Sequence, residues 1–197
     1  KKRCVKDLPK DLQKKVLAKE SVRVYLDCVS RAKNEAERKE CEKLLTPEAR
    51  KLLEEAKKSV KAYKDCVSRA RNEKEKKECE KLLTPEARKL LEQEVKESVK
   101  AYKDCVSRAR NEKEKKECEK LLTPEARKLL ENQALDCLKN AKTEAEKKRC
   151  VKDLPKDLQK KVLAKESVRV YLDCVSRAKN EAERKECEKL LTPEARK

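Results

Sequence analysis

The sequence predicts an all-α protein of tandem helical hairpins, each with one long and one short helix, arranged as an elongated solenoid or a bundle-like array. Three observations lead to this fold class. Long stretches of sequence recur along the chain, apolar residues follow one another at steps of three and four, and helix-capping residues mark each turn.

Internal repetition organises the 197 residues of the chain. Residues Ser59–Glu92 and Ser98–Glu131 are identical, and residues 1–51 recur unchanged as residues 147–197. No stretch rich in Pro, Gly or Ser separates the copies, so the sequence predicts a single array over residues 1–197. Its repeats have the approximate bounds 1–46, 47–84, 85–123, 124–154 and 155–197.

The long helix of a repeat is predicted from its start signal and its apolar stripe. In the third repeat Thr84 is a suitable N-cap and Pro85 fits the first helical position, where its missing N–H has no intrahelical partner to lose. The spacing predicts a helix from Pro85 to Ala109 with one apolar face. Its members are Ala87, Leu90, Leu91, Val95, Val99, Tyr102, Cys105, Val106 and Ala109.

A short helix follows each long one. Asn111 is expected to cap it, with Glu114 three residues later as the acid of a capping box. Its narrow apolar face is predicted to contain Cys118, Leu121 and Leu122, and it ends before the Thr-Pro pair that starts the next long helix. The same cap-and-acid signature recurs as Asn34/Glu37, Asn72/Glu75, Thr143/Glu146 and Asn180/Glu183.

Composition excludes several classes of function. The chain has no His, so it cannot contain a His general base, a catalytic triad or a His metal site. It has no Gly, so it has neither a P-loop nor a dinucleotide-binding fingerprint. Its apolar runs are too short for membrane insertion, and no cationic or basic setting that would activate a cysteine nucleophile is evident. We therefore expect no enzymatic activity, no cofactor and no metal.

The cysteines share one spacing. Five pairs follow the pattern C-x12-C, and in an antiparallel hairpin their two members face each other. Buried free thiols and a metal site are the alternatives, but one spacing kept five times, without His or C-x-x-C, favours disulfides. The pairs are Cys28/Cys41, Cys66/Cys79, Cys105/Cys118, Cys137/Cys150 and Cys174/Cys187.

Cys4 has no counterpart at this spacing. It corresponds to Cys150, whose partner Cys137 would map upstream of residue 1. Either the chain begins within a hairpin and residues are missing, which we favour, or Cys4 is unpaired and able to cross-link two chains.

Near-identical repeats, a capped helix-turn-helix unit and a restricted residue alphabet resemble computationally designed helical repeat proteins. The resemblance covers the whole chain and implies a synthetic scaffold without an evolved ligand. The chain departs from that pattern because its first cysteines are unevenly spaced and its loops contain no Gly. These departures argue against a uniform superhelix.

The function predicted from the sequence is that of a structural scaffold. The alternative is a basic module that binds polyanions, such as nucleic acid, heparin-like chains or an anionic membrane surface, because the net charge is +18. Such binding would be weak and non-specific, and self-association through the terminal repeats is a further expectation. A synthetic protein would have no native location, whereas a natural one with paired cysteines would belong to a secreted or otherwise oxidising compartment.

Overall fold

The computed structural model describes residues 5–197 and is helical, with no strand in that part of the chain. Long and short helices alternate, as the sequence predicts. Three short helices are each followed by a 3-10 turn, at Glu80–Leu82, Glu119–Leu121 and Glu188–Leu190. The helices are α1 Lys10–Arg31, α2 Glu35–Glu42, α3 Pro47–Arg69, α4 Glu73–Cys79, α5 Pro85–Arg108, α6 Glu112–Cys118, α7 Pro124–Asn140, α8 Glu144–Val151, α9 Lys156–Arg177 and α10 Glu181–Cys187.

The predicted Thr-Pro start signal is confirmed in α3, α5 and α7, whereas α1 and α9 begin after Pro9 and Pro155 without a side-chain cap. In α3 the side chain of Thr46 accepts a hydrogen bond from the N–H of Ala49 at 3.2 Å, and Pro47 occupies the first turn. The same contact recurs between Thr84 and Ala87 at 3.2 Å. Because the cap and the proline are both local features, the sequence alone locates where these helices begin.

The caps of the short helices differ from the prediction in one respect. Asn34 accepts from the N–H of Glu37 at 2.9 Å, but the Glu37 carboxylate accepts from Lys33, the residue before the cap, at 2.6 Å. Among the described turns only that of Thr143 also has the reciprocal bond of a capping box, from its own N–H to Glu146 at 3.3 Å. The expected box is therefore shifted by one residue at the four asparagine caps.

The face of the short helix is narrower than predicted. Cys118 of α6 and Leu122 are buried, as members of the predicted apolar face, but Leu121, which lies on the 3-10 turn, is exposed. A 3-10 helix has about three residues per turn, which is fewer than an α-helix has. The apolar face was predicted from α-helical spacing, so it did not reveal that the side chain of Leu121 is exposed.

Contacts divide the chain into two compact units, one ending at Glu97 and the other beginning at Ser98. In the first unit α1 packs on α3, and the core includes Val22 and Leu26 of α1 with Ala49 and Leu53 of α3. A second cluster joins α3 to the start of α5. The single array over residues 1–197 and the repeat bounds within it remain predictions.

In the second unit α7 packs on α9. Leu138 of α7 and Val162 of α9 are among the most completely buried side chains of the described residues. Both lie on the apolar stripes of their helices, so each helix buries part of its apolar face.

The two copies of the 51-residue sequence bury opposite halves of the same helix. Near the amino end, α9 buries Leu158 but the equivalent Leu12 of α1 is exposed. Near the carboxyl end, α1 buries Leu26 at 7% exposure, whereas the equivalent Leu172 of α9 is 58% exposed. The half of the apolar face that is exposed in one copy is therefore the half that packs against a neighbouring helix in the other copy.

Candidate functional site: the disulfide-linked hairpin

Each long helix is joined to the following short helix by a disulfide. The five bonds have the same backbone geometry, with 5.7 Å between the two Cα atoms and a sequence separation of 13. The structure places bonds at Cys28–Cys41, Cys66–Cys79, Cys105–Cys118, Cys137–Cys150 and Cys174–Cys187. Cys4 lies outside the described residues, so its state stays a prediction.

Four of the five disulfides are sheltered in the same way. Their second cysteine is buried, at 1–2% exposure, and their first cysteine is half-buried. The fourth hairpin is different, because Cys137 is exposed and Cys150 is only half-buried. The sequence gives the five pairs one spacing and therefore does not reveal this difference.

A serine in the long helix ties each of four hairpins to the segment that follows it. The hydroxyl of Ser59 donates to the carbonyl oxygen of Leu82 at 2.6 Å and accepts from the N–H of Thr84 at 3.2 Å. Ser21 and Ser98 make the same pair of bonds, and Ser167 accepts from Thr192 at 3.3 Å. We call these residues the serine clamps.

The serine clamps were missed by the sequence analysis, although a signal was present. Each clamp serine lies seven residues before the first cysteine of its hairpin and 25 residues before its threonine partner. The fourth hairpin has Leu130 at this position, and at its end the side chain of Gln159 donates to Leu154 at 3.0 Å. A hydroxyl within a helix is usually read as solvent-facing, which hides such a contact.

One charged group lies within the contact between α7 and α9. Glu131 is 7% exposed and receives hydrogen bonds from Lys161 at 2.9 Å and from Lys165. Burial acts to raise the pKa of Glu131, but the hydrogen bonds and charges of the two lysines outweigh it, so the pKa lies below the ordinary value of 4.5. The folded state thus favours ionised Glu131.

Replacing this carboxylate is expected to weaken the second unit. Glu131→Gln should lower the free energy of unfolding by about 1 kcal/mol at neutral pH, since both lysines are more than half exposed and partly screened by water. A lowered folded pKa adds stability above the unfolded pKa, so the difference from wild type should vanish as the pH falls below 4.5. Urea denaturation at several pH values measures it.

A matched control lies in the identical repeat. Glu92 has the same position as Glu131 in the duplicated 34-residue sequence, but it is exposed. Glu92→Gln should change stability by less than about 0.5 kcal/mol. Equal effects of the two substitutions would show that the lysine contacts of Glu131 contribute nothing.

The tyrosines lie on the apolar stripes rather than on an exposed stacking surface. Tyr102 is buried, and its hydroxyl donates to the carbonyl oxygen of Asp153 at 2.9 Å. Burial, reinforced by the negative charges of Glu119 and Asp153, raises its pKa to about 12. The remaining tyrosines, Tyr25, Tyr63 and Tyr171, are half-buried.

Residues 5–197 contain no cluster of three or more His, Cys, Asp or Glu side chains suited to a metal ion. In the same range no helix has both the length and the apolar character needed to cross a bilayer.

Comparison with known proteins identifies the repeat. A family model described as the DC-EC repeat matches the chain five times, whereas no curated protein and no solved structure matches it. The matched segments are residues 24–55, 62–93, 101–132, 133–164 and 170–197.

The letters of this description correspond to dipeptides at the disulfides. Aspartate precedes the first cysteine of all five hairpins, as in Asp65-Cys66, and glutamate precedes the second in four of them, as in Glu78-Cys79. The fourth hairpin has Arg149 before Cys150. The matches cover well over half of the residues and coincide with the disulfide-linked hairpins, and the chain belongs to the DC-EC repeat family.

Proposed function

We propose that the protein is a non-enzymatic structural scaffold, in which tandem helical hairpins are held in shape by one disulfide each. The observation that supports this most directly is the repetition of one geometry, with 5.7 Å between bonded Cα atoms in all five hairpins. Residues repeated so closely are better suited to forming a regular shape than to assembling one reactive centre.

The energetics of the short helices support the same proposal. In α2, α4, α6 and α10 the buried side chain is the cysteine itself, and the remaining residues are largely charged. Helices of seven or eight residues are too short to be stable alone in water. The covalent bond therefore holds a helix that apolar packing would hold only weakly.

Stretching single molecules tests the scaffold proposal. An oxidised hairpin cannot extend between its cysteines, which are 13 residues apart, so reducing one disulfide should release about 40 Å of extra length. Compared with the fully reduced chain, the extended length of the oxidised chain should be shorter by five such lengths. That of the oxidised variant Cys66→Ser/Cys79→Ser should be shorter by four. Equal extended lengths with and without reductant would contradict the proposal.

Polyanion binding is the second candidate function, supported by the net charge of +18. In the second unit, five lysines contribute to a cavity of about 740 Å³, although four carboxylates share it. The lysines are Lys113, Lys115, Lys116, Lys152 and Lys156, and the carboxylates are Glu112, Glu119, Asp153 and Asp157.

Ion pairing reduces the charge that such a surface offers. Lys156 lies 3.0 Å from Glu112, and its hydrogen bond lowers the pKa of that carboxyl group. On the short helices, lysines pair with glutamates three residues away, as Lys76 does with Glu73 at 3.1 Å. We expect elution from a heparin column well below physiological salt, whereas retention above it would favour polyanion binding over the scaffold alone.

The scaffold proposal holds whether the sequence is of designed or natural origin. It requires an oxidising environment, because the disulfides must persist. The bare half-faces of α1 and α9 supply apolar surface for the predicted self-association, which stays a prediction.

A further inference from the structure

The fourth disulfide differs from the other four in exposure and in the charge around it. Cys137 is exposed and Cys150 is half-buried, whereas Cys41, Cys79, Cys118 and Cys187 are 1–2% exposed. The fourth hairpin also lacks a serine clamp, because Leu130 replaces the serine. A thiol in solution can therefore approach this bond more easily than the others.

Cationic side chains line the cavity that Cys150 borders. Cys150 contributes to a cavity of about 130 Å³ whose charged lining residues are Lys103, Arg149 and Asp153, two cations and one anion. Arg149 occupies the position where the other four hairpins have glutamate. A positive setting stabilises a cysteine thiolate and attracts an anionic thiol.

The first hairpin provides the contrast. Cys28 and Cys41 also border a groove, of about 580 Å³, but its charged lining residues are three carboxylates and one guanidinium. Those carboxylates belong to Asp27, Glu37 and Glu40. An anionic thiol is repelled there, and Cys41 is buried, so neither charge nor access favours attack on that bond.

We propose that the Cys137–Cys150 bond is a thiol-exchange site, at which a low-molecular-weight anionic thiol of the glutathione type modifies Cys137. The thiolate attacks the Sγ of Cys137, the more exposed residue of the pair, and forms a mixed disulfide with it. The Cys137–Cys150 bond breaks, and its electron pair remains on the Sγ of Cys150 as a thiolate near Arg149 and Lys103. This step exchanges one disulfide for another, so it needs no oxidant or reductant beyond the thiol.

The exchange also has a direction. A leaving thiolate departs faster when its pKa is low, and Cys150 is the sulfur that lines the cationic cavity. Attack on the opposite sulfur would require approach to the half-buried Cys150 and departure of Cys137. Once the bond opens, α8 is no longer cross-linked to α7 by a disulfide, whereas the other four hairpins keep theirs.

Timed exposure of the full chain to reduced glutathione tests this proposal. Free thiols are then blocked by alkylation, and tryptic peptides are analysed by mass spectrometry. The peptide covering residues 129–139 contains Cys137 and is unique in the chain, whereas Cys28 shares its peptide sequence with Cys174, and Cys66 with Cys105. We expect glutathione on Cys137 to appear about tenfold faster than on the first cysteines of the other hairpins.

A variant separates the contribution of charge. Arg149→Glu restores the glutamate of the other hairpins and should slow the reaction at Cys137 about five- to tenfold, with no change elsewhere. Circular dichroism of the oxidised variant checks that its helices are intact. Faster or equal reaction at another disulfide, or an unchanged rate in Arg149→Glu, would each overturn the proposal.

Discussion

Reduction of the disulfides is expected to destabilise the protein more than any single substitution. Each bond closes a loop with a sequence separation of 13, which in the chain-entropy model stabilises a hairpin by about 3 kcal/mol. Five such contributions have an upper bound of about 15 kcal/mol, as large as the whole stability of an ordinary domain. The short helices should then melt first, because the cysteine is their main buried side chain.

Chemical denaturation followed by circular dichroism, with and without reductant, measures this effect. The variant Cys66→Ser/Cys79→Ser removes one bond. In the oxidised state its free energy of unfolding should be lower than wild type by about one fifth of the difference between the oxidised and the fully reduced chain. Iodoacetamide treatment after reduction prevents the bonds from re-forming during the measurement. An unfolding midpoint that is the same in both redox states would refute the structural role of the bonds.

Removing one leucine should have very different effects in the two copies of the duplicated sequence. Leu26 is 7% exposed and lies in the core with Ala49 and Leu53, so Leu26→Ala should cost about 2–4 kcal/mol through lost burial and a residual cavity. Leu172 occupies the same place in the same sequence but is 58% exposed, so Leu172→Ala should cost about 0.5 kcal/mol or less.

The pair of leucine variants controls for everything except tertiary environment. Helix propensity, neighbouring residues and position within the helix are the same for both leucines, so any difference in stability reports the helix packed against them. Urea denaturation of both variants at low protein concentration measures it. Equal losses would mean that α3 does not protect Leu26 in solution.

The sequence predicted the features that depend on neighbouring residues in the chain. The Thr46 and Thr84 caps, the alternation of long and short helices and the 13-residue spacing of the sulfurs all follow from local pattern. The long helix predicted for Pro85–Ala109 ends one residue earlier, at Arg108. These features need no knowledge of what packs on the hairpin.

The features that the sequence did not predict depend on contacts between elements. Leu26 and Leu172 are indistinguishable in sequence, yet only one is buried. The Ser59 hydroxyl finds partners 23 and 25 residues away, which helix periodicity cannot indicate. For the candidate site, the spacing identified the sulfur pairs, but the exposure of Cys137 depends on packing around the fourth hairpin.

The serine clamps have a consequence for how unfolding spreads along the chain. Ser98 couples the end of its own hairpin to Thr123 at the start of the following helix, so neighbouring hairpins share hydrogen bonds as well as apolar contacts. At Leu130 the hydroxyl is missing, and the polar coupling between the fourth hairpin and the next long helix runs through Glu131 and its two lysines instead. In a nearest-neighbour description of repeat proteins, cooperativity across this one junction should therefore depend on ion pairs and weaken as salt is added.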